Sequence, residues 1–226
     1  MTMEAVVRGR DEVGVSGPEA LTFLQGQISQ DLLPMAVGEE RWTFVLAPTG
    51  RVEVLARVRR LAEDRFALDT DAGYGEQLAA RLARFKIRVK VDIEPVETSE
   101  LPALFADEEA RIEAGWPTMG AEIVPGETIP AETGVTPVAV DFKKGCYAGQ
   151  ELVERMDSRG AAAPRRLRIL DVAEGAAPGD PIEHDGATVG VLTSVAGGRA
   201  LGFVKRGVEL GTAPPAAPPE RAPSAR

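Results

Sequence analysis

The chain has 226 residues, of which 44% are hydrophobic, and its formal net charge is −9. This length and composition are typical of a globular protein with one large domain or two modest ones. Acidic residues are spread along the sequence, so repulsion disfavours nucleic acid and anionic membranes as partners and favours small ligands or proteins. One cysteine excludes an intramolecular disulfide, and no segment resembles a signal peptide or a membrane-spanning helix. We therefore expect a soluble, cytoplasmic protein.

Hydrophobic patterning predicts an α+β layer over the first part of the chain. The predicted elements, in chain order, are a strand at 3–15, a helix starting near Pro18 after Ser16, strands at 42–46, 52–59 and 66–68, a helix at 75–85, a strand at 87–91, a helix at 106–114 and a strand-like apolar segment at 135–142. The three middle strands predict a meander. Strands with helices on one face are typical of an α+β layer.

The last part of the chain has a different residue pattern, which predicts short strands separated by glycine-containing turns. Strands are predicted at 167–172, 188–195 and 200–204, and the pairs Asp185-Gly186 and Gly197-Gly198 are hairpin signals. This pattern predicts a small β-barrel. We expect one domain over 1–160, the barrel over 161–211, and a disordered tail rich in alanine and proline over 212–226.

Cys146, the only cysteine, lies in the segment Lys-Lys-Gly-Cys-Tyr-Ala-Gly-Gln-Glu at 143–151. A thiol acts as a nucleophile or soft ligand only as the thiolate, which nearby ammonium groups or a helix N-terminus favour. Lys144 provides such a charge, and apolar residues at helical spacing predict a helix just after Gly149. Although a free cysteine is more often a small buried hydrophobe, this glycine-punctuated context favours a functional thiol.

One cysteine and one histidine cannot supply a closed four-ligand zinc or iron–sulfur site. We therefore predict no resident metal. Any cluster would be held transiently, across a subunit interface, or on another protein. His184 precedes the turn Asp185-Gly186 and is predicted to be a solvated turn residue.

Residues 144–151 resemble the signature of the YgfZ-type folate-binding proteins linked to iron–sulfur cluster assembly and repair. Further segments resemble that family in the same order, namely Gly17-Pro18-Glu19-Ala20, Phe23-Leu24-Gln25-Gly26-Gln27, Pro48-Thr49-Gly50-Arg51 and Arg111-Ile112-Glu113-Ala114-Gly115-Trp116-Pro117. The family is similar in fold to the T-protein of the glycine cleavage system, a tetrahydrofolate-dependent aminomethyltransferase. The resemblance implies a folate-binding domain with an antiparallel sheet and packed helices, followed by a small β-barrel. Residues 93–111 leave little room for a strand–helix unit that the family normally has, so the middle is shortened.

The resemblance also implies site residues and a cofactor. Cys146 would be the essential thiol, and Lys144 would be a cation for its thiolate or for a folate glutamate tail. Glu113 would contact the pterin of tetrahydrofolate or a one-carbon derivative; the alternative is that it belongs to a solvated helix face. The residues themselves add further cofactor-binding candidates. Tyr147 and Gln150 offer a flat ring and an amide near the same loop, and Arg155 and Arg159 could bind an anion; the alternative is that these arginines are surface residues or ion-pair partners. Iron–sulfur proteins or assembly factors would be the protein partners.

Three functions follow as hypotheses. The first is a folate-binding accessory protein of iron–sulfur cluster assembly or repair. The second is an aminomethyltransferase of the T-protein type, for which Asp69 or Asp71, after the third meander strand, could supply the catalytic carboxylate. The third is a non-catalytic protein-binding scaffold. The residues leave open whether the chain is an enzyme.

Overall fold

Two antiparallel sheets organise the computed structural model, which describes residues 9–96, 101, 103–158, 163–215, 217 and 219. The elements in chain order are β1 (Arg10–Ser16), α1 (Ala20–Gln27), β2 (Glu40–Leu46), β3 (Val52–Ala62), β4 (Arg65–Asp71), α2 (Gly75–Arg84), β5 (Asp92–Val96), α3 (Glu108–Glu113), a 3₁₀ turn (Pro130–Glu132), α4 (Thr136–Ala139), α5 (Gln150–Ser158), β6 (Arg165–Asp171), β7 (Pro181–His184), β8 (Ala187–Ala196) and β9 (Arg199–Lys205). The first sheet has the order β2-β3-β4-β1-β5, and the second has the order β6-β9-β8-β7. This architecture confirms the α+β prediction.

The meander β2-β3-β4 and the helices α2, α3 and α5 lie close to their predicted positions, but two apolar segments were wrongly predicted as strands. At 87–91, Arg88 has a φ of 56°, which breaks an extended backbone, and the strand β5 begins only after this segment. At 135–142, Pro137 favours a helical start, and the N–H of Val140 donates to the carbonyl of Thr136. In both segments the valines pack against the core without forming a strand.

Both faces of the first sheet are buried. One face packs against α1 and α2 through an apolar cluster that contains Leu24, Phe66 and Leu78. The other face carries Trp42 and Phe44 and is covered by α4, by Val153 of α5 and by irregular chain from the second half of the domain. The prediction of helices on one face is incomplete, because α4 and long loops cover the second face, whose apolar side chains must also leave water.

The second sheet contains both predicted hairpin turns. Asp185 and Gly186 have φ values of 50° and 76°, and Gly197 and Gly198 have 57° and 77°. Such pairs of positive φ angles match the twist of the flanking strands. The strand β7 was not predicted. It ends at His184, which is half-exposed and lies just before the turn. The first residue of the predicted disordered tail is bound to the second sheet: Thr212 exchanges two backbone hydrogen bonds with Ile169 of β6.

A buried ion pair links the second sheet to α3 and to the loop around Glu122. Arg111 of α3 donates to Glu122 at 2.9 Å and to the hydroxyl of Ser194 at 2.6 Å. Glu122 is 0% exposed and also accepts hydrogen bonds from Thr193, Ser194 and the backbone of Thr118. Since a buried carboxylate is stable only when its acceptors are used, this network fixes β8 of the second sheet against α3.

We expect Glu122→Gln to destabilise the protein by about 3 kcal/mol, because the amide presents donors to hydroxyl and backbone groups that now donate to a carboxylate. The free energy of urea unfolding measures this change. Asp171→Asn is the matched control, since Asp171 pairs with Arg199 at 3.7 Å on the surface and its loss should leave stability unchanged. Equal stability of the two variants would show that the buried network is not a main contact between α3 and the second sheet.

Candidate functional site

The cysteine loop, residues 141–149, connects the end of α4 to α5. Asp141 opens it: one carboxylate oxygen accepts hydrogen bonds from the backbone N–H groups of Lys143 at 2.7 Å and Lys144 at 3.1 Å. At the other end, the side-chain oxygen of Gln150 accepts from the N–H of Tyr147 at 2.7 Å. Short polar side chains therefore set the turn at both ends of the loop, and Cys146 lies between them just before α5, as predicted.

Lys144 fixes the cysteine loop to the end of α1. Its ammonium group donates to the carbonyls of Gln25 at 2.7 Å, Ile28 at 2.6 Å and Gln30 at 3.0 Å, and it lies 4.9 Å from the ring centroid of Tyr147. Burial lowers the pKa of Lys144 to about 8, against the opposing effect of Asp31 and Asp141. All three N–H donors are used, so Lys144 anchors the cysteine loop; its role as a cation for the Cys146 thiolate stays a prediction.

Two glycines bring the loop against the turn between β2 and β3. Gly149 has a φ of 84°, and a Cβ atom there would lie 2.4 Å from the carbonyl oxygen of Ala47. Gly50 has a φ of 82°, and its Cβ would lie 2.4 Å from that of Leu152. Only glycine allows this close approach. The N–H of Ala148 also donates to the carbonyl of Gly26 at 3.0 Å, so three motifs distant in sequence meet at the loop.

The predicted site residues of the loop differ in exposure. Cys146 is exposed, and a Cβ at the neighbouring Gly145 would meet no atom within 4 Å. Arg155 is also exposed. Tyr147 belongs to the core cluster of Trp42 and Trp116, and burial, with a smaller contribution from Glu154, raises its pKa. Arg159 lies outside the described residues. The loop therefore presents its thiol to solvent while Tyr147 and Gln150 hold its conformation.

A separate cleft of about 420 Å³ lies beside the first sheet and α3. Its lining residues are Gly9, Arg10, Asp71, Ala72, Tyr74, Ala103, Leu104, Phe105, Asp107, Glu108, Arg111, Trp116, Thr118, Met119, Gly120 and Ala121. No residue of the cysteine loop lines it. Trp116 belongs to one of the motifs that carry the family resemblance, but the motif gives it no role. Tyr74 and Phe105 were not predicted as site residues, because no local pattern distinguishes them from core aromatics.

The two aspartates proposed for transfer chemistry have different surroundings. Asp69 is 0% exposed and pairs with Arg10 at 2.5 Å and with Arg57 at 3.1 Å, so it is a structural charge inside the sheet. Asp71 lines the cleft. Its carboxylate accepts hydrogen bonds from Arg10 at 2.8 Å, from the hydroxyl of Thr118 at 2.7 Å and from the N–H of Met119 at 2.9 Å. Only Asp71 could therefore contact a bound ligand.

The residues predicted to hold folate do not converge on this cleft. Glu113 is exposed at the end of α3 and does not line it; its role as a pterin contact stays a prediction. The cleft nevertheless offers Phe105 and Trp116 as aromatic walls and Asp71 as an acceptor. Flat faces and a carboxylate suit a planar ring with N–H donors, so the chemistry of the cleft fits a pterin.

Metal ligands are not clustered in the described ranges, where no group of three or more histidine, cysteine, aspartate or glutamate side chains could hold a metal ion. Within the same ranges, no helix has the length and apolar character needed to cross a membrane.

Comparisons with known proteins agree with this architecture. Residues 165–214 match the family model described as the C-terminal beta-barrel domain of CAF17. A mitochondrial iron–sulfur cluster assembly factor IBA57 homologue of Neurospora crassa is 25% identical over 77% of this chain and 55% of its own length. The human mitochondrial assembly factor IBA57 is 23% identical over 88% of this chain and 73% of its own. The chain thus spans a little over half the length of the first of these relatives.

A solved structure shows the same fold. The glycine cleavage system aminomethyltransferase T of Bartonella henselae superposes with a TM-score of 0.74 at 18% identity, covering 87% of this chain and 76% of that one. The prediction of a T-protein-like domain followed by a β-barrel domain is therefore confirmed. Iron–sulfur cluster assembly factors are among the relatives of this chain, while the finer YgfZ-type assignment and the cytoplasmic location stay predictions.

Replacing Lys144 with methionine should destabilise the protein by roughly 2 kcal/mol, because three half-buried carbonyls lose their donor. We expect amide exchange at Ala148, whose N–H bonds to Gly26, to become faster as the loop loosens. Lys143→Met is the control. Lys143 is the exposed neighbour of Lys144, so its substitution should change neither the free energy of urea unfolding nor the amide exchange at Ala148. The anchoring role would be wrong if the two variants behaved alike.

Proposed function

We propose that this chain is an iron–sulfur cluster assembly factor in which the Cys146 thiol is the essential chemical group. The observation that supports this most is an exposed thiol on a loop that a half-buried lysine and two glycines hold in one conformation. A mobile surface cysteine would need no such anchors. Relatives named as IBA57 assembly factors support the same assignment.

In this proposal the cluster is cargo and not a resident cofactor. Iron–sulfur clusters are generally held by four ligands, most of them cysteine thiolates. This chain has one cysteine, so Cys146 supplies at most one ligand, and a partner protein supplies the others. The exposure of Cys146 is consistent with such sharing, because a partner must reach the same cluster.

We expect Cys146→Ala to fold with unchanged thermal stability but to fail to rescue a strain that lacks the equivalent assembly factor. The thiol is exposed, so its removal costs little packing. Gly145→Ala is the matched control in the same loop, since its new methyl group meets no atom within 4 Å. Activity of a host iron–sulfur enzyme is the readout. Full rescue by Cys146→Ala would instead assign the scaffold role.

The cleft supports a second proposal, that the protein also binds a reduced folate. Phe105 and Trp116 would flank the pterin, and Asp71 would accept its N–H groups. A folate of this kind carries one-carbon units when bound. Because no loop residue lines the cleft, the binding of folate and the use of the thiol are separate properties in this proposal, and each can be lost without the other.

Calorimetric titration with 5-formyltetrahydrofolate tests folate binding. We expect saturable binding to the wild type, about tenfold weaker binding to Asp71→Asn through the lost charged acceptor, and little change in Glu113→Gln, since Glu113 lies outside the cleft. Weakening in Glu113→Gln alone would place the pterin at Glu113, as the resemblance implied. No binding at millimolar ligand would remove folate from the function. Formation of methylenetetrahydrofolate from an aminomethyl-lipoyl donor would favour the transferase alternative.

A further inference from the structure

A strongly basic segment lies between α2 and β5 and is not explained by the fold. This basic loop, residues 84–90, reads Arg-Phe-Lys-Ile-Arg-Val-Lys and contains four cations and no acidic residue, in a chain whose net charge is −9. All four cations are exposed. Ile87, in the middle of the loop, is 70% exposed and is the most exposed of the large apolar side chains in the described residues.

The conformation of the basic loop is fixed by its other side chains. The guanidinium carbon of Arg81 lies over the ring of Phe85, 4.0 Å from the ring centroid. Val89 packs against the first core cluster. Between these two anchors the backbone of Arg88 adopts a φ of 56°. A non-glycine residue in this region is uncommon and is held there by its surroundings. The turn therefore projects Ile87 outward although apolar neighbours lie on both sides in sequence.

Most of the positive charge of the basic loop is not neutralised within the molecule. Lys86 lies 3.6 Å from Asp92. The side chains of Arg84, Arg88 and Lys90 form no ion pair with any residue in the described ranges. Three unpaired cations around one exposed isoleucine form a surface that can attract and then contact an acidic partner.

The helix α1 connects the basic loop to the cysteine loop. The N–H of Lys90 donates to the carboxylate of Glu19, just before α1, at 2.7 Å, and Lys144 binds the carbonyl of Gln25, near the end of α1, at 2.7 Å. An α-helix of 8 residues is about 12 Å long. Arg81, which holds Phe85, also contacts Gln27 at 3.3 Å. One protein partner could therefore cover both loops.

We propose that the basic loop is the docking surface for an acidic protein segment that carries an apolar residue, and that this segment belongs to the protein exchanging a cluster with Cys146. Only the identity of the partner, as the protein that exchanges a cluster with Cys146, rests on the proposed function. Charge complementarity favours a protein segment over an anionic membrane. An extended membrane surface is repelled by the net charge of −9, whereas a short acidic segment contacts only the basic loop. Ile87 would insert into an apolar site on that segment.

The experiment compares two triple variants of the full chain. In the loop variant, Arg84, Arg88 and Lys90 are each replaced by glutamine. In the control variant, three exposed cations elsewhere, Arg65, Arg166 and Lys205, are replaced by glutamine. The probe is a fluorescein-labelled peptide of alternating glutamate and leucine, and its binding is measured by fluorescence anisotropy at about 0.05 M and about 0.3 M salt.

We expect the loop variant to bind the peptide about tenfold more weakly than the wild type at low salt, and the control variant to bind as the wild type does. Ile87→Ser should weaken binding at both salt concentrations, because it removes an apolar contact. Equal affinities of the two triple variants would overturn the proposal. So would loop-dependent binding to phosphatidylserine vesicles without peptide binding, or a loop-dependent dimer in sedimentation, which would assign the surface to a membrane or a second copy.

The rescue assay separates this inference from the proposed function. The loop variant should lower rescue while the alkylation rate of Cys146 and the thermal stability stay at wild-type values. If Cys146→Ala fails to rescue and the loop variant rescues fully, the docking surface is wrong and the assembly function stands. If Cys146→Ala rescues, the assembly function through the thiol is wrong, and peptide binding to the purified variants still decides the role of the loop.

Discussion

Three carbonyl groups near the end of α1 share one donor, the ammonium group of Lys144, and the position of the exposed thiol depends on this contact. A helix end leaves carbonyls without intrahelical partners, and burying them unpaired is costly. A lysine two residues before Cys146 satisfies them and ties the cysteine loop to α1 in the same step. Gly149 then sets the distance to the β2–β3 turn, where no side chain would fit. Local stability and the presentation of Cys146 therefore have the same physical origin.

The buried charges of the first domain are structural and restrict where chemistry can occur. Asp69 is enclosed by arginines and Glu122 by Arg111 and hydroxyl groups, so neither carboxylate reaches a ligand. Asp71 is different because it combines three internal hydrogen bonds with a position on the cleft. Its oxygens have fixed directions before any ligand arrives, which lowers the cost of ordering on binding. The ligand chemistry of the cleft thus depends on a carboxylate that the sheet itself orients.

Sequence patterns predicted those features that depend on neighbouring residues. The helix after Gly149, the helix α2 and the turn Asp185-Gly186 are local, and each was placed correctly. The partners of Lys144 lie 114 to 119 residues away in sequence, and no local pattern identifies them. The sequence therefore indicated only the neighbouring Cys146 as a group that the charge of Lys144 could affect, and not the bonds of Lys144 to the end of α1. The alternation at 87–91 was misleading for a related reason, since Val89 and Val91 face the core as they would in a strand while Arg88 turns the backbone.

The separation of the thiol from the cleft bears on the choice among the functions. A reaction that used both the thiol and a ligand in the cleft would require the two close together around one bound substrate. Here the exposed thiol and the aromatic cleft share no lining residue. The thiol faces solvent, where a protein can reach it, and a single α-helix separates it from three unpaired cations that suit an acidic surface. This arrangement suits the proposed action of Cys146 on a partner protein, whereas the aminomethyltransferase alternative depends on Asp71, which lines the cleft.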